Sequence, residues 1–276
     1  MKTLVQHICF SVAALAIGCL IPSSVLAQGR IEGSFDRTLT VSGTLDLEVS
    51  TGSGSIDIRR GTNNRIEVHG RIRAGDNWFR SNRNAENVVR TLESNPPIEQ
   101  TGNLVRIGRI PDRDLQNVSI SYEIVVPPQT NIRSHTGSGR QQLDGIEGRV
   151  EAGTGSGSIT LRDIRGDVNA NTGSGSIRAS SIRGGLRMQT GSGGIEVQGE
   201  QTSRWDLQTG SGGIEIDLPP SASFELNAHT GSGGIDVGYP MTVQGRIGDR
   251  HDITGRVGSG GPSLNARTGS GSIRIQ

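Results

Sequence analysis

The sequence predicts an all-β protein: a parallel single-chain β-solenoid (β-helix) with two short strands in each coil of about 18–21 residues. One short helix is expected in an N-terminal insert. Three observations predict this class. A six-residue phrase, TGSGSI or TGSGGI, recurs at Thr51–Ile56, Thr154–Ile159, Thr172–Ile177, Thr190–Ile195, Thr209–Ile214, Thr230–Ile235 and Thr268–Ile273. Its spacing is regular: from a degenerate copy at Thr136–Gln141 each step to Thr190 is 18 residues, and later steps stretch to 19, 21 and 27, the last reaching a second degenerate copy at Val257–Pro262. Apolar residues also keep fixed places relative to every copy. A period near 20 marks a solenoid, in which each repeat is one turn that buries its apolar face only by stacking on its neighbours.

Residues 1–27 read as a secretory signal: Lys2, an apolar stretch from Ile8 to Ile21, then Val25-Leu26-Ala27 before Gln28. The stretch falls short of the roughly 20 residues that span a bilayer, so no transmembrane span is expected in the mature chain. Cys19 follows Ala16-Ile17-Gly18, where Leu would stand at Ala16 in a lipidation site, which argues against lipid anchoring. Both cysteines, Cys9 and Cys19, lie in this segment, so burial and hydrogen-bonded ladders must hold the mature fold without disulfides. The mature domain is expected to be 28–276, with 71–129 an insert or cap and 130–276 the regular coils.

Strands are expected at Arg37–Ser42, Leu45–Val49, Ile56–Arg59 and Arg65–Arg71, feeding the first coil. Within the insert, Asn84–Glu93 has helical spacing through Val88, Val89 and Leu92, and Asn95-Pro96-Pro97 stops it. Leu104–Ile110 and Val118–Val126 alternate as strands. The insert is expected to cover the N-terminal end of the solenoid, where an unpaired edge would invite aggregation.

In the coils, the fourth and second residues before each Thr (Val150 and Ala152, Leu186 and Met188) and the fifth and seventh after it (Ile159 and Leu161, Ile195 and Val197) point inward. Alternation by two on both sides of TGSG gives two strands per coil. The parity shift across GSG requires a corner, for which a positive φ at glycine is expected. A second corner is expected at Gly148, Gly166 and Gly184, with Ile146, Ile164 and Ile182 inward. The Thr and Ser hydroxyls are expected to satisfy backbone groups at the first corner. Loops lengthen later coils at Gln198–Arg204, Pro219–Ser223 and Gly238–Arg256, the last carrying Tyr239, Met241 and His251 as candidate binding determinants.

The ordered set resembles the bacterial putative-adhesin family, secreted domains of unknown function. It comprises a signal, a first repeat at LEVSTGSGSIDI, a helix-bearing insert, SYEIVVPPQTNIRSHTGSG, spaced TGSG coils and a closing LNARTGSGSIRIQ. The likeness spans roughly Arg30 to Gln276. It implies the fold and an adhesive role, and brings no catalytic residues.

Composition excludes several chemistries. Lys2 is the only lysine, so 27 arginines face 27 acids in the mature chain and no basic excess draws nucleic acid. The turns lack the Asp of a calcium β-roll. His69, His135, His229 and His251 are scattered, without zinc spacing. The GSGS phrase ends in strands, unlike a nucleophile elbow. No cofactor, metal or catalytic residue is expected. The candidate ligand-binding residues are Glu196, Glu215 and Asp236, six after their Thr, which would stack as an acidic ladder on consecutive coils. The outward rows Asn169, Arg187, Asp206, Asn227 and Asn171, Gln189, Gln208, His229 offer a repeated polar face. The sequence thus reads as a non-enzymatic adhesin-like binding or scaffold module, exported to the periplasm, outer-membrane surface or exterior. Its partners would be glycans, envelope or surface proteins, or a second copy by self-association. A carbohydrate-active enzyme or glycan binder using the acidic ladder, and a periplasmic structural or envelope-stress component, are the alternatives.

Overall fold

The computed structural model describes residues 31–62, 64–74, 82–108, 118–243 and 251–276; the signal, Cys19 and parts of the insert and last loop lie outside them. The chain opens with β1 (Glu32–Thr40), β2 (Leu45–Thr51), β3 (Ile56–Arg60) and β4 (Arg65–Ala74), then helix α1 (Asn82–Ser94). β5 (Ile98–Thr101), β6 (Leu104–Ile107) and β7 (Val118–Val126) follow. The coils supply β8 (Thr130–Thr136), β9 (Gln141–Asp144), β10 (Val150–Thr154), β11 (Ile159–Arg165), β12 (Val168–Thr172), β13 (Ile177–Arg183), β14 (Leu186–Thr190), β15 (Ile195–Glu200), β16 (Trp205–Thr209) and β17 (Ile214–Asp217). The last part holds β18 (Phe224–Ser232), β19 (Ile235–Val237), β20 (Met241–Val243), β21 (Asp252–Val257), β22 (Ser263–Ser270) and β23 (Ile273–Ile275).

Each coil gives one strand to each of two sheets. The first runs β1-β4-β7-β3-β9-β11-β13-β15-β17-β23-β19, the second β20-β21-β18-β22-β16-β14-β12-β10-β8-β2-β6-β5. The coil-to-coil pairs are parallel and in register, Val150 beside Val168 and Ile159 beside Ile177. The predicted inward columns are buried throughout the described coils except Ile235 and Val237, which are half-exposed because β19 is an edge strand. Ala152 and Ala170 keep the core thin, and Trp205 fills it, donating Nε1–H to the Gly184 carbonyl at 2.9 Å. The parallel ladders and the buried columns make a β-solenoid.

Coil order departs from sequence order. β22 and β23 sit between the β16/β17 coil and the β18/β19 coil, so the end of the chain lies inside both sheets. At the other end, β2 and β3 are likewise flanked by β6/β7 on one side and β8/β9 on the other. Antiparallel strands finish the array: β1 and β4 on the first sheet, β5 and the β20–β21 pair on the second. The helix packs on β1 and β4 through Ala85, Val89 and Leu92, and Glu93 Oε1 accepts from Ser34 N–H at 3.1 Å.

In the corners from Thr136 to Thr209 the glycines act by close approach rather than by the expected positive φ, which the Thr230 corner does show at Gly233 (147°). A Cβ on Gly157 would lie 1.7 Å from the Gly139 carbonyl oxygen of the coil below, so only glycine lets coils stack there. Left-handed φ also appears late in the second strand or just after it, in the stacked positions Gly145 (73°), Asp163 (46°) and Ser181 (56°), where a local bulge turns Ile146, Ile164 and Ile182 inward, and at the second-corner glycines Gly166 (151°) and Gly184 (147°). The Thr hydroxyls behave as expected. In the corner after β10, Thr154 Oγ1 accepts from Gly157 N–H at 3.0 Å and donates to the Gly139 carbonyl at 3.2 Å.

Candidate functional site

Strand alternation leaves two outer faces carrying in-register side chains. On the first sheet, Glu196 and Glu215 are direct neighbours across β15 and β17, as the sequence suggests. Asp236 is not the next rung. The inserted β23 places Arg274 between Glu215 and Asp236, so the column reads Arg178, Glu196, Glu215, Arg274, Asp236. The acidic ladder is therefore a mixed-charge ladder, because the last coil docks out of sequence order. Arg178 Nε donates to Glu196 Oε2 at 3.0 Å, and Arg274 lies 3.9 Å from Glu215. Beside it runs a trough of about 460 Å³, floored by Gly194, Gly213 and Gly234 where other coils carry Ser176 and Ser272. A Cβ would meet nothing closer than 3.4 Å at these three positions, so the trough exists because side chains are missing there, not because space forbids them.

The second sheet presents two rows. Three residues before each Thr stand Glu151, Asn169, Arg187 and Asp206, then Asn265 and finally Asn227. One before stand His135, Gly153, Asn171, Gln189, Gln208, then Arg267, then His229. Asn265 and Arg267 were not legible as neighbours of Asp206 and Gln208; the signal would have been the order of the coils. Gly153 leaves a gap in the second row, and a trough of about 620 Å³ runs from His135 past Asn171 to Gln189.

The N-terminal part of this face is closed by its own ion pairs. Glu48 joins Arg106 (2.9 Å) to Arg133 (3.1 Å), and Arg133 continues to Glu151 (3.1 Å). The middle is open, with one short contact between Asn171 Nδ2 and Asn169 Oδ1 at 3.1 Å. Towards the far end Arg204 grips Asp206 through Nε (2.7 Å) and a terminal nitrogen (3.1 Å), and Asn265 Nδ2 adds a third bond at 2.7 Å. Partial burial pushes the Asp206 carboxyl up, but the bonds from Arg204 and Asn265 and the charges of Arg204 and Arg187 outweigh it and hold the pKa below its usual value.

The described ends of the long final loop pack on the solenoid. Tyr239 donates its hydroxyl to the Leu218 carbonyl at 2.6 Å and packs edge-on to Phe224, ring centres 5.8 Å apart. Met241 opens β20, and the His251 carbonyl accepts from Thr230 N–H at 2.9 Å. Among the described residues no three His, Cys, Asp or Glu side chains converge as a metal would require. Among them, too, no helix is long and apolar enough to cross a membrane.

The sequence profile of the family described as Toastrack DUF4097 matches residues 111–276. No curated protein matches the chain. Three solved structures are similar: a putative cell adhesion protein from Clostridium sporogenes (16% identity, 89% of this chain and 99% of that one, TM-score 0.40); a putative adhesin from Bacteroides fragilis (12%, 88% and 97%, 0.41); and a putative lipid binding protein from Parabacteroides distasonis (18%, 88% and 97%, 0.44).

Proposed function

The chain belongs to the Toastrack DUF4097 family, and from that premise we propose that it is a non-enzymatic, adhesin-like binding or scaffold module of the cell envelope. The observation that carries this reading is the pair of outward polar rows on the second sheet. From β8 to β18 seven strands present one row beside the other in continuous register, a strip of about 29 Å at strand spacing. A single amide or guanidinium offers a weak contact, and repetition along the strip converts many such contacts into avidity. An extended glycan, an envelope protein or another copy of the chain could lie along it. Residues 1–27 would export it.

On the first sheet, the pairing of Glu196 with Arg178 and the entry of Arg274 beside Glu215 favour a binding surface over an acid–base pair. If Glu196, Glu215 and Asp236 contribute to that surface, replacing all three by Gln or Asn alters binding and no turnover. The reading is tested by antibody labelling of an epitope-tagged copy on intact and permeabilised cells. Labelling of intact cells is the expected result. Labelling only after permeabilisation overturns the surface role and favours a periplasmic structural component.

A further inference from the structure

The out-of-order docking of β22 builds a small grid on the second sheet. β14, β16 and β22 place Arg187, Asp206 and Asn265 in one row, and Gln189, Gln208 and Arg267 in the other. With Arg204, from the loop ahead of β16, these six line a cavity of about 180 Å³ over Leu207. Charge within it is unbalanced. Asp206 is the only acid, and its carboxylate is taken up by the two bonds from Arg204 and the one from Asn265. Arg187 lies near enough to lower the Asp206 pKa, yet among the described residues neither it nor Arg267 forms an ion pair. Three arginines against one aspartate leave two surplus positive charges at opposite corners of the grid, two strands apart, or about 9.6 Å along the sheet.

The chemistry of these groups narrows the ligand. Guanidinium groups bind carboxylates in a planar, two-bond geometry, and the carboxamides of Gln189 and Gln208 both donate and accept, as sugar hydroxyls require. Gln189 also lines the trough that continues towards His135, so a ligand seated on the grid has a path along the strip. Nucleic acid fits less well. Towards β10 the rows hold Asn169, Asn171, Gly153 and the acid Glu151, not a line of cations, and no Phe, Tyr or Trp side chain lines the cavity or the trough for bases to stack on.

We infer that Arg187 and Arg267, with Gln189 and Gln208 between them, bind a carboxylate-bearing polysaccharide. The inference rests on the reading of the second sheet as the binding face and names the class of its ligand. The test is binding of the purified full mature chain to immobilised polygalacturonate, with neutral dextran and duplex DNA as companion surfaces, in low and high salt. Polygalacturonate is expected to bind at low salt and weaken as salt rises. R187Q and R267Q should each reduce binding about 10- to 100-fold, the loss of one charged hydrogen-bonded contact. R187K and R267K should keep part of it, and R162Q, an exposed arginine of β11 on the first sheet, all of it. Thermal melts of every variant matching the parent exclude a folding effect. Equal binding of dextran and polygalacturonate overturns the anionic ligand while leaving the binding face intact. Tighter binding of DNA overturns the polysaccharide assignment, and binding to none of the three surfaces removes both the inference and the reading beneath it.

Discussion

The five corners at Thr136, Thr154, Thr172, Thr190 and Thr209 and the two at Thr230 and Thr268 share the phrase TGSG but not its conformation. In the first group the strand stops at the Thr, whose Oγ1 accepts from the glycine N–H three residues on at 3.0–3.1 Å. In the second group β18 and β22 run on through Gly and Ser, pairing Ser232 with Ser270, and Gly271 N–H donates across to the Ser232 carbonyl at 3.0 Å. One bond is common to both. Every Thr of these seven donates to a glycine carbonyl of the neighbouring coil, Thr172 to Gly157 at 2.8 Å, Thr268 to Gly212 at 2.8 Å and Thr230 to Gly271 at 2.8 Å, whereas Thr51 of the first copy donates to the Ile120 carbonyl at 2.7 Å. The phrase therefore encodes how a coil docks on a neighbour, not how the corner bends or which neighbour is met. That freedom allows the last coil to slot between two earlier ones, so that the chain terminus is paired on both sides and the outermost β18 is covered by β21.

Glycine substitutions break the comparison hardest. Gly157→Ala pushes a methyl into the Gly139 carbonyl, backbone against backbone, and should cost about 3 kcal/mol or more, or prevent folding. Gly213→Ala, where the nearest atom to the new Cβ is 3.4 Å away, should stay within about 0.5 kcal/mol. Chemical denaturation of the two variants measures the difference; equal losses would mean that close stacking at the second glycine is not what demands it.

Threonine substitutions sharpen it. Thr154→Val removes an acceptor from Gly157 N–H and a donor to the Gly139 carbonyl, and should cost about 2–3 kcal/mol. Thr268→Val orphans only the Gly212 carbonyl and should cost about 1 kcal/mol, since Gly271 N–H keeps its backbone partner. Matching losses for the two would show that the opened corner is not the stable form in solution.

The inward columns were legible because alternation and a fixed period leave one solution: Ile159, Ile177, Ile195 and Ile214 could only face the core. The helix was legible through Val88, Val89 and Leu92, and extends one or two residues beyond the expected Asn84–Glu93 at each end. The order of the last coils was not. Seven near-identical docking phrases make each coil an acceptable partner for any other, so adjacency is decided by loop reach and by the β20–β21 strands, which carry no repeat signal. The same degeneracy hid the sites. Glu196 and Glu215 are successive in sequence and adjacent in space, whereas Arg274 beside Asp236 and Arg267 beside Gln208 are contacts between coils separated along the chain.

A smaller effect concerns what holds the returning segment. Tyr239→Phe removes the hydroxyl that tethers the turn after β19 to Leu218 O, while the ring still packs on Phe224. The expected loss is about 1 kcal/mol, with faster amide exchange at Thr242 and Val243 and unchanged exchange at Ile177 and Val197 in the ordered coils. Uniform acceleration along the whole array would mean that the two regions unfold as one unit.

The smallest effect is a pair of opposite pH dependences at the two ends of the array. Asp206 has a depressed pKa, so its bonds to Arg204 and Asn265 stabilise the fold above its ordinary value of 3.8 and fade as pH falls through the lower folded value. Asp57, on β3, is pushed the other way, first by burial and then by the neighbouring Glu123. Its ionised form is disfavoured in the fold, so it costs stability above its raised pKa and costs none below 3.8. Asp206→Asn should therefore lower the melting temperature at pH 7 and lose that effect in acid, while Asp57→Asn should raise it at pH 7 and do nothing in acid. Both carboxylates are partly exposed, so solvent screening should keep the shifts small. Their opposite signs carry the test: two shifts of the same sign would show that Glu123 does not crowd Asp57 as β7 beside β3 requires, or that Arg204 does not hold Asp206.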